Sequence, residues 1–277
     1  MRKRTFIFMA ATLAVIVTGC NKKSNEPINN NSKAVGTVTD VCGNTYNYVK
    51  IGSQYWLAEN MRCNKYDTES ERANETIAIP SKNDEYYYDN PFDASNPFYF
   101  DASDKSSWRG YAYADNLTDT QVKLLGFLYT WSAAVGYASK EEAKKHEGGF
   151  GGKRQGICPN GWHVPEISEY EKLAEEIGDK KDKYGDYSKS GVLLKTTSGW
   201  HEKAGCGTDE YGFSVLPAGF ANSSSTCLPG GSSYIWTATD PYVNDAYHVA
   251  FFDDLNEMEV HVTSYKSDAF SVRCVKN

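Results

Sequence analysis

The sequence predicts an α+β domain of short antiparallel strands, about two helices and long loops, fixed by disulfides. Three observations lead there. Runs of alternating aromatic and β-branched residues, punctuated by Gly, Asn, Ser and Pro, occupy both ends of the chain. A central stretch carries apolar residues at helical spacing. Once Cys20 is set aside, six of the 7 cysteines remain, an even set.

The first nineteen residues stand apart from the fold. Arg2, Lys3 and Arg4 precede an apolar run at 6–17 that is broken only by Thr12. Such a run is too short to span a bilayer, which takes about 20 apolar residues, and it reads as a signal peptide. It ends in Val17-Thr18-Gly19-Cys20, which resembles the lipobox of bacterial lipoproteins. The expectation is cleavage before Cys20 and a lipid on that cysteine. Cleavage would remove three positive charges and move the formal net charge from −7 to −10. An acidic chain without a basic cluster argues against nucleic acid as a partner, because phosphate recognition needs concentrated Lys and Arg. Residues 20–35, rich in Asn, Lys and Ser, read as a lipidated tether.

The domain is expected at 36–277. Strands are predicted at 37–39, 45–51 and 54–58, with Gly43-Asn44 and Gly52-Ser53 as the turns. Residues 84–122 read as an aromatic-rich insertion, in which Tyr86, Tyr88, Phe98 and Tyr99 lie among Asn, Asp and Pro. A helix is expected around 127–137. A second is expected at 168–177, where Tyr170, Leu173, Ala174 and Ile177 share one face and Ser168 can cap the start. Strands return at 212–216, 234–238, 246–252, 258–262 and 270–275. Arg273, inside the last of these, is expected to pair with a carboxylate.

Tests for chemistry give little. The histidines, His146, His163, His201, His248 and His261, occur singly and without a catalytic signature, so no catalytic residue is assigned. The glycine run at 148–152 lacks phosphate-loop spacing, because Arg154 follows Lys153. No zinc spacing occurs among the cysteines, and the acidic run at 253–257 reads as a turn. Neither metal nor cofactor is therefore expected. A metal-free sugar site needs exposed rings beside carboxylates and amides. Two segments combine them: the insertion, through Tyr86, Tyr88, Phe98 and Tyr99, and the loop at 240–245, through Asp240, Tyr242 and Asn244.

The six remaining cysteines, Cys42, Cys63, Cys158, Cys206, Cys227 and Cys274, allow 15 pairings, and spacing alone does not choose. Several ordered blocks resemble the Fibrobacter succinogenes major paralogous domain, a family of secreted and lipid-anchored bacterial domains. They include Tyr55-Trp56-Leu57-Ala58-Glu59-Asn60-Met61, Gly126-Phe127-Leu128-Tyr129-Thr130-Trp131, Cys158-Pro159-Asn160-Gly161-Trp162-His163-Val164-Pro165, Gly212-Phe213-Ser214-Val215-Leu216-Pro217, Trp236-Thr237-Ala238-Thr239 and Ser271-Val272-Arg273-Cys274-Val275. That family is similar to C-type-lectin-like folds. The resemblance implies a bond from Cys158 to Cys274; Cys206 with Cys227 and Cys42 with Cys63 follow in rank. The insertion is longer than the family leads one to expect. Trp56, Trp131, Trp162 and Trp236 read first as packing for a loop-rich core.

The sequence thus leads to an expected non-catalytic binding or adhesion module of the cell envelope, lipid-anchored at the outer membrane, with a glycan or surface protein as ligand. The periplasmic or external face stays open. The alternative is a structural or fimbria-associated envelope lipoprotein without a soluble ligand.

Overall fold

The computed structural model describes residues 33–77, 99–100, 123–136, 153–201, 207–221, 226–227, 229–242, 245–266 and 268–277, with 99–100 and 226–227 described by backbone alone. Cys20, the expected signal peptide at 1–19, most of the expected insertion and Cys206 lie outside them.

The N-terminal strands follow their residue pattern. β1 (Gly36–Thr39), β2 (Thr45–Ile51) and β3 (Gln54–Leu57) form an antiparallel meander turned at Gly43 and Gly52. Side chains alternate across β2, so Tyr46 enters one core while Val49 and Ile51 enter another. The described residues add β4 (Tyr99–Phe100), β5 (Leu128–Thr130), β6 (Trp162–His163), β7 (Phe220–Ala221), β8 (Thr226–Cys227), β9 (Ser232–Trp236), β10 (Asp245–Phe252), β11 (Glu259–Tyr265), β12 (Ala269–Phe270) and β13 (Val275–Lys276). Three sheets result, in the orders β1-β2-β3-β13-β6, β11-β10-β9 and β4-β5-β12-β7-β8. All the pairings within them are antiparallel.

Helices among the described residues include α1 (Trp131–Val135), α2 (Ile167–Glu176) and α3 (Ser190–Leu194). α2 buries Tyr170, Leu173 and Ala174, as its spacing requires, but Ser168 lies inside it. Its start is held by Glu169, whose carboxylate accepts the Glu166 amide at 2.9 Å. The helix expected around 127–137 divides in two. Leu128–Thr130 is extended because it pairs with β12, and only one turn of helix follows before Gly136 ends it at φ 71°.

Two apolar clusters meet across the sheets. One gathers Tyr46, Leu57, Trp131, Trp162, Trp236 and Phe270; the other gathers Trp56, Tyr170, Leu173, Phe213, Ile235 and Phe251. The four tryptophans read as packing residues are all buried, none more than 3% exposed. Disulfides join Cys158 to Cys274 and Cys42 to Cys63. The pairing of Cys206 with Cys227 falls outside the described side chains.

Two expectations are corrected near the C-terminus. Residues 212–216 are not a strand: Gly212 and Ser214 take left-handed φ of 70° and 57°, and turns replace extended chain. The Asp209 carboxylate fixes this conformation by accepting the Ser214 amide at 2.8 Å and its hydroxyl at 2.7 Å. Among the described residues Arg273 meets no carboxylate. It is fully buried and donates to the carbonyls of Phe213 and Ser214 and to Asn60 Oδ1, with its guanidinium 4.7 Å from the Phe213 ring centroid. The turn at 212–214 supplies the oxygens that a carboxylate was expected to provide.

Candidate functional site

Of the two predicted ligand segments, the loop at 240–245 is the one with described side chains, those of 240–242 and 245. It leads into β10, whose first residue, Asp245, pairs in register with Tyr265 at the end of β11. That pairing sets Tyr265 opposite Asp245, twenty positions away in sequence, and Asp268, whose amide donates to the Tyr265 carbonyl at 2.8 Å, feels the charge of Asp245. Tyr242 is 60% exposed and Tyr265 56%, two of the few large apolar side chains that reach solvent. Asp245, the strand partner of Tyr265, and Asp268 are half-buried. The site is therefore an open edge with two phenol rings and two carboxyl groups.

Asp240, placed among the ligand residues by sequence, turns inward instead. It is 2% exposed, and its Oδ2 accepts the Lys266 ammonium at 2.8 Å. Lys266, itself 5% exposed, lies 4.3 Å from the centroid of Trp131. Burial pulls the Lys266 ammonium below its usual range, and Asp240 opposes that shift. An ammonium this deep needs a countercharge, and Asp240 is spent on it. The ion pair ties the loop to the segment between β11 and β12, so Tyr242 projects from a braced base.

Burial, together with the charge of Asp245, pushes Asp268 up to about 7. Near neutral pH the Asp268 carboxyl can donate a proton as well as accept one, which suits hydroxyl-rich ligands. The shift also fixes a sign. In the unfolded chain Asp268 ionises near 3.8, whereas in the fold it stays protonated to about 7. The folded state then holds more protons across that window, and stability falls as pH rises from about 4 to about 7. Asp268→Asn is expected to leave stability unchanged near pH 4 and to raise it at pH 8 by on the order of 1 kcal/mol, or about 2–4 °C in Tm. Melting curves at both pH values test this; equal shifts at both would sink it.

The other predicted contacts fare differently. Tyr86, Tyr88, Phe98 and Asn244 lie outside the described residues, and Tyr99 is described by backbone alone, in β4 opposite Tyr129. Sequence reasoning missed Tyr265 and Asp268, since only the β10–β11 register sets Tyr265 opposite Asp245, whose charge Asp268 feels.

The acidic turn at 253–257 carries a cation of the protein's own. Lys195, 1% exposed, sends its ammonium to the carbonyls of Phe252 and Leu255, both at 2.8 Å, and sits 5.0 Å from the Trp200 centroid. Another metal-like grouping, Asp40 with Cys42 and Cys63, is a turn closed by a disulfide. Asp40 accepts the Cys42 and Asn44 amides at 2.9 Å each and the Tyr46 hydroxyl at 2.6 Å.

His163 lies 2.7 Å from Asn277 Oδ1 through Nδ1 and 2.9 Å from Glu169 through Nε2. Burial raises the Glu169 pKa, but the bond and charge of His163 outweigh it and hold the carboxyl below its usual range. His201 meets Asp253 at 3.1 Å, and His261 meets Glu171. His248 is enclosed by Tyr234, Trp236 and Phe270, and burial pushes it down to about 3, so it is neutral in ordinary buffers. Among the described residues no hydrogen bond joins a histidine to a serine, threonine or cysteine.

Fold and site together define a disulfide-bonded α+β domain whose tryptophan-lined core supports an aromatic, carboxyl-bearing edge. The Fibrobacter succinogenes major domain family matches residues 49–276, and the chain belongs to that family. No curated protein and no solved structure matches the chain.

Proposed function

We propose that the chain is a non-catalytic lipoprotein of the cell envelope that binds glycans, held at the outer membrane by lipid on Cys20. Its scaffold is then C-type-lectin-like, with recognition assigned to loops that a rigid core holds in place. The observation that carries this reading is the exposure of Tyr242, two residues from the braced Asp240–Lys266 pair, and of Tyr265, whose strand partner is the half-buried Asp245. Exposed phenol rings stack on the apolar faces of sugar rings, and the carboxyl groups bond their hydroxyls. The described histidines, His163, His201, His248 and His261, support a non-catalytic role, since their partners are carboxylates, an amide or aromatic rings rather than a nucleophile, and His146 lies outside the described residues.

A glycan array with the full chain, run with and without calcium, tests this reading. Specific binding, retained without calcium and lost in the Tyr242→Ala/Tyr265→Ala variant, is the expected result. An array with no bound glycan would reject it in favour of a structural envelope role.

A further inference from the structure

A second aromatic surface lies on the first sheet, away from the loops. β2 and β3 pair so that Lys50 faces Tyr55 and Tyr48 faces Leu57, while β13 and β6 place Lys276 opposite Trp162. The alternation of side chains brings Tyr48, Lys50, Tyr55, Trp162 and Lys276 to one face. Tyr48 and Tyr55 are half-buried, with ring centroids 6.0 Å apart, and Trp162 underlies them 5.3 Å from Tyr48. The Lys276 ammonium lies 5.9 Å from the Tyr48 centroid and 5.6 Å from that of Tyr55, which Lys50 approaches at 5.5 Å. Gly36 in β1 leaves room for the outer ring: a Cβ there would fall 2.3 Å from Tyr48 Oη.

Both ammonium groups stand exposed and uncommitted. Arg62, Arg72, Arg154, Lys181 and Lys266 each meet a carboxylate, whereas Lys50 and Lys276 meet none among the described residues. The Tyr48 and Tyr55 hydroxyls likewise bond no described residue. Two free cations flanking two rings, in a chain of net charge −7, form a local site of the opposite sign to the whole.

We propose that this face binds an acidic saccharide, a uronate-type sugar whose ring lies on the tyrosines and whose carboxylate sits between Lys50 and Lys276. The inference rests on the glycan-binding reading above and adds to it a second site and a ligand class. Charge range selects a small anion over a membrane. Screening confines each lysine's field to about 8 Å at physiological salt, so one carboxylate feels the pair, whereas an extended anionic bilayer faces the acidic whole. Strand addition by an acidic peptide is closed off, because β2 and β3 are interior strands with neighbours on both sides.

Calorimetric titration of the full chain in detergent tests the site, with oligogalacturonate as probe and a neutral cello-oligosaccharide, a polyglutamate peptide and anionic phospholipid vesicles as comparisons. Oligogalacturonate should bind, more weakly as salt rises. Binding should weaken about tenfold in Lys50→Gln/Lys276→Gln, an exposed pair whose loss leaves the fold intact, and stay unchanged in Tyr242→Ala/Tyr265→Ala. Equal affinity in the lysine variant, equal affinity for polyglutamate, or preference for vesicles would overturn the proposal. Neutral glycans bound without oligogalacturonate would refute this site and leave the general reading standing. No saccharide bound at all would refute both.

Discussion

Truncating Arg273 to alanine is expected to lower the stability of the domain by about 4 kcal/mol, a large share of the 5–15 kcal/mol typical of a folded protein. The guanidinium is fully buried at the junction of the 212–214 turn, the last strand and the Asn60 side chain. Burial lowers its pKa to about 10, which leaves it charged near neutrality. It donates to Asn60 Oδ1 at 2.9 Å, to the Ser214 carbonyl at 3.2 Å and to the Phe213 carbonyl. Alanine would strand these three acceptors without water and leave a cavity beside Phe213. The left-handed backbone at Ser214 adds to the effect, because the turn that holds it loses its central donor. Arg273→Met separates the contributions: it keeps much of the volume and loses the donors, so its cost should fall between those of wild type and Arg273→Ala. Urea unfolding followed by tryptophan fluorescence measures both, and a loss below about 1 kcal/mol for the alanine variant would contradict the assignment.

The second large effect belongs to the Cys158–Cys274 disulfide. Its partners are 116 residues apart, against 21 for Cys42–Cys63. On the chain-entropy account, closing the longer loop restricts the unfolded chain by about 5 kcal/mol and closing the shorter one by about 3 kcal/mol. Cys158→Ala/Cys274→Ala should therefore cost more than Cys42→Ala/Cys63→Ala. Accessibility runs the other way. Cys158 and Cys274 are fully buried, whereas Cys42 is exposed. A small dithiol is expected to open Cys42–Cys63 in the native state and to leave Cys158–Cys274 closed until the protein unfolds. Mass spectrometry after alkylation in native buffer reads the order, and simultaneous opening would show that the core exchanges more freely than its burial implies.

Much of the architecture was legible in local patterns. Alternation at 45–51 defined β2, and the spacing of Tyr170, Leu173 and Ala174 defined the buried face of α2, because one-sided burial imposes a period that the residues themselves carry. Gly43 and Gly52 marked turns for the same local reason. The tryptophans at 56, 131, 162 and 236 could be recognised as core, since rings of that size beside glycine and proline need a packed interior.

Tertiary structure decided the rest. Leu128–Thr130 resembles the start of a helix until β12 pairs with it, and 212–216 has the composition of a strand until Asp209 and Arg273 hold it as a turn. Asp240 reads as a surface carboxylate, and only the arrival of Lys266, 26 positions later, makes it a buried countercharge. Tyr265 meets Asp245 only through the β10–β11 register, and Lys276 reaches Tyr48 only because β13 inserts between β3 and β6. By itself the sequence determined the strands of the N-terminal meander and the buried face of α2, because those follow from periods and propensities within a few residues. Which charges are neutralised and which rings share a surface was decided by pairings between distant segments, and no local pattern encodes the partner that desolvation requires.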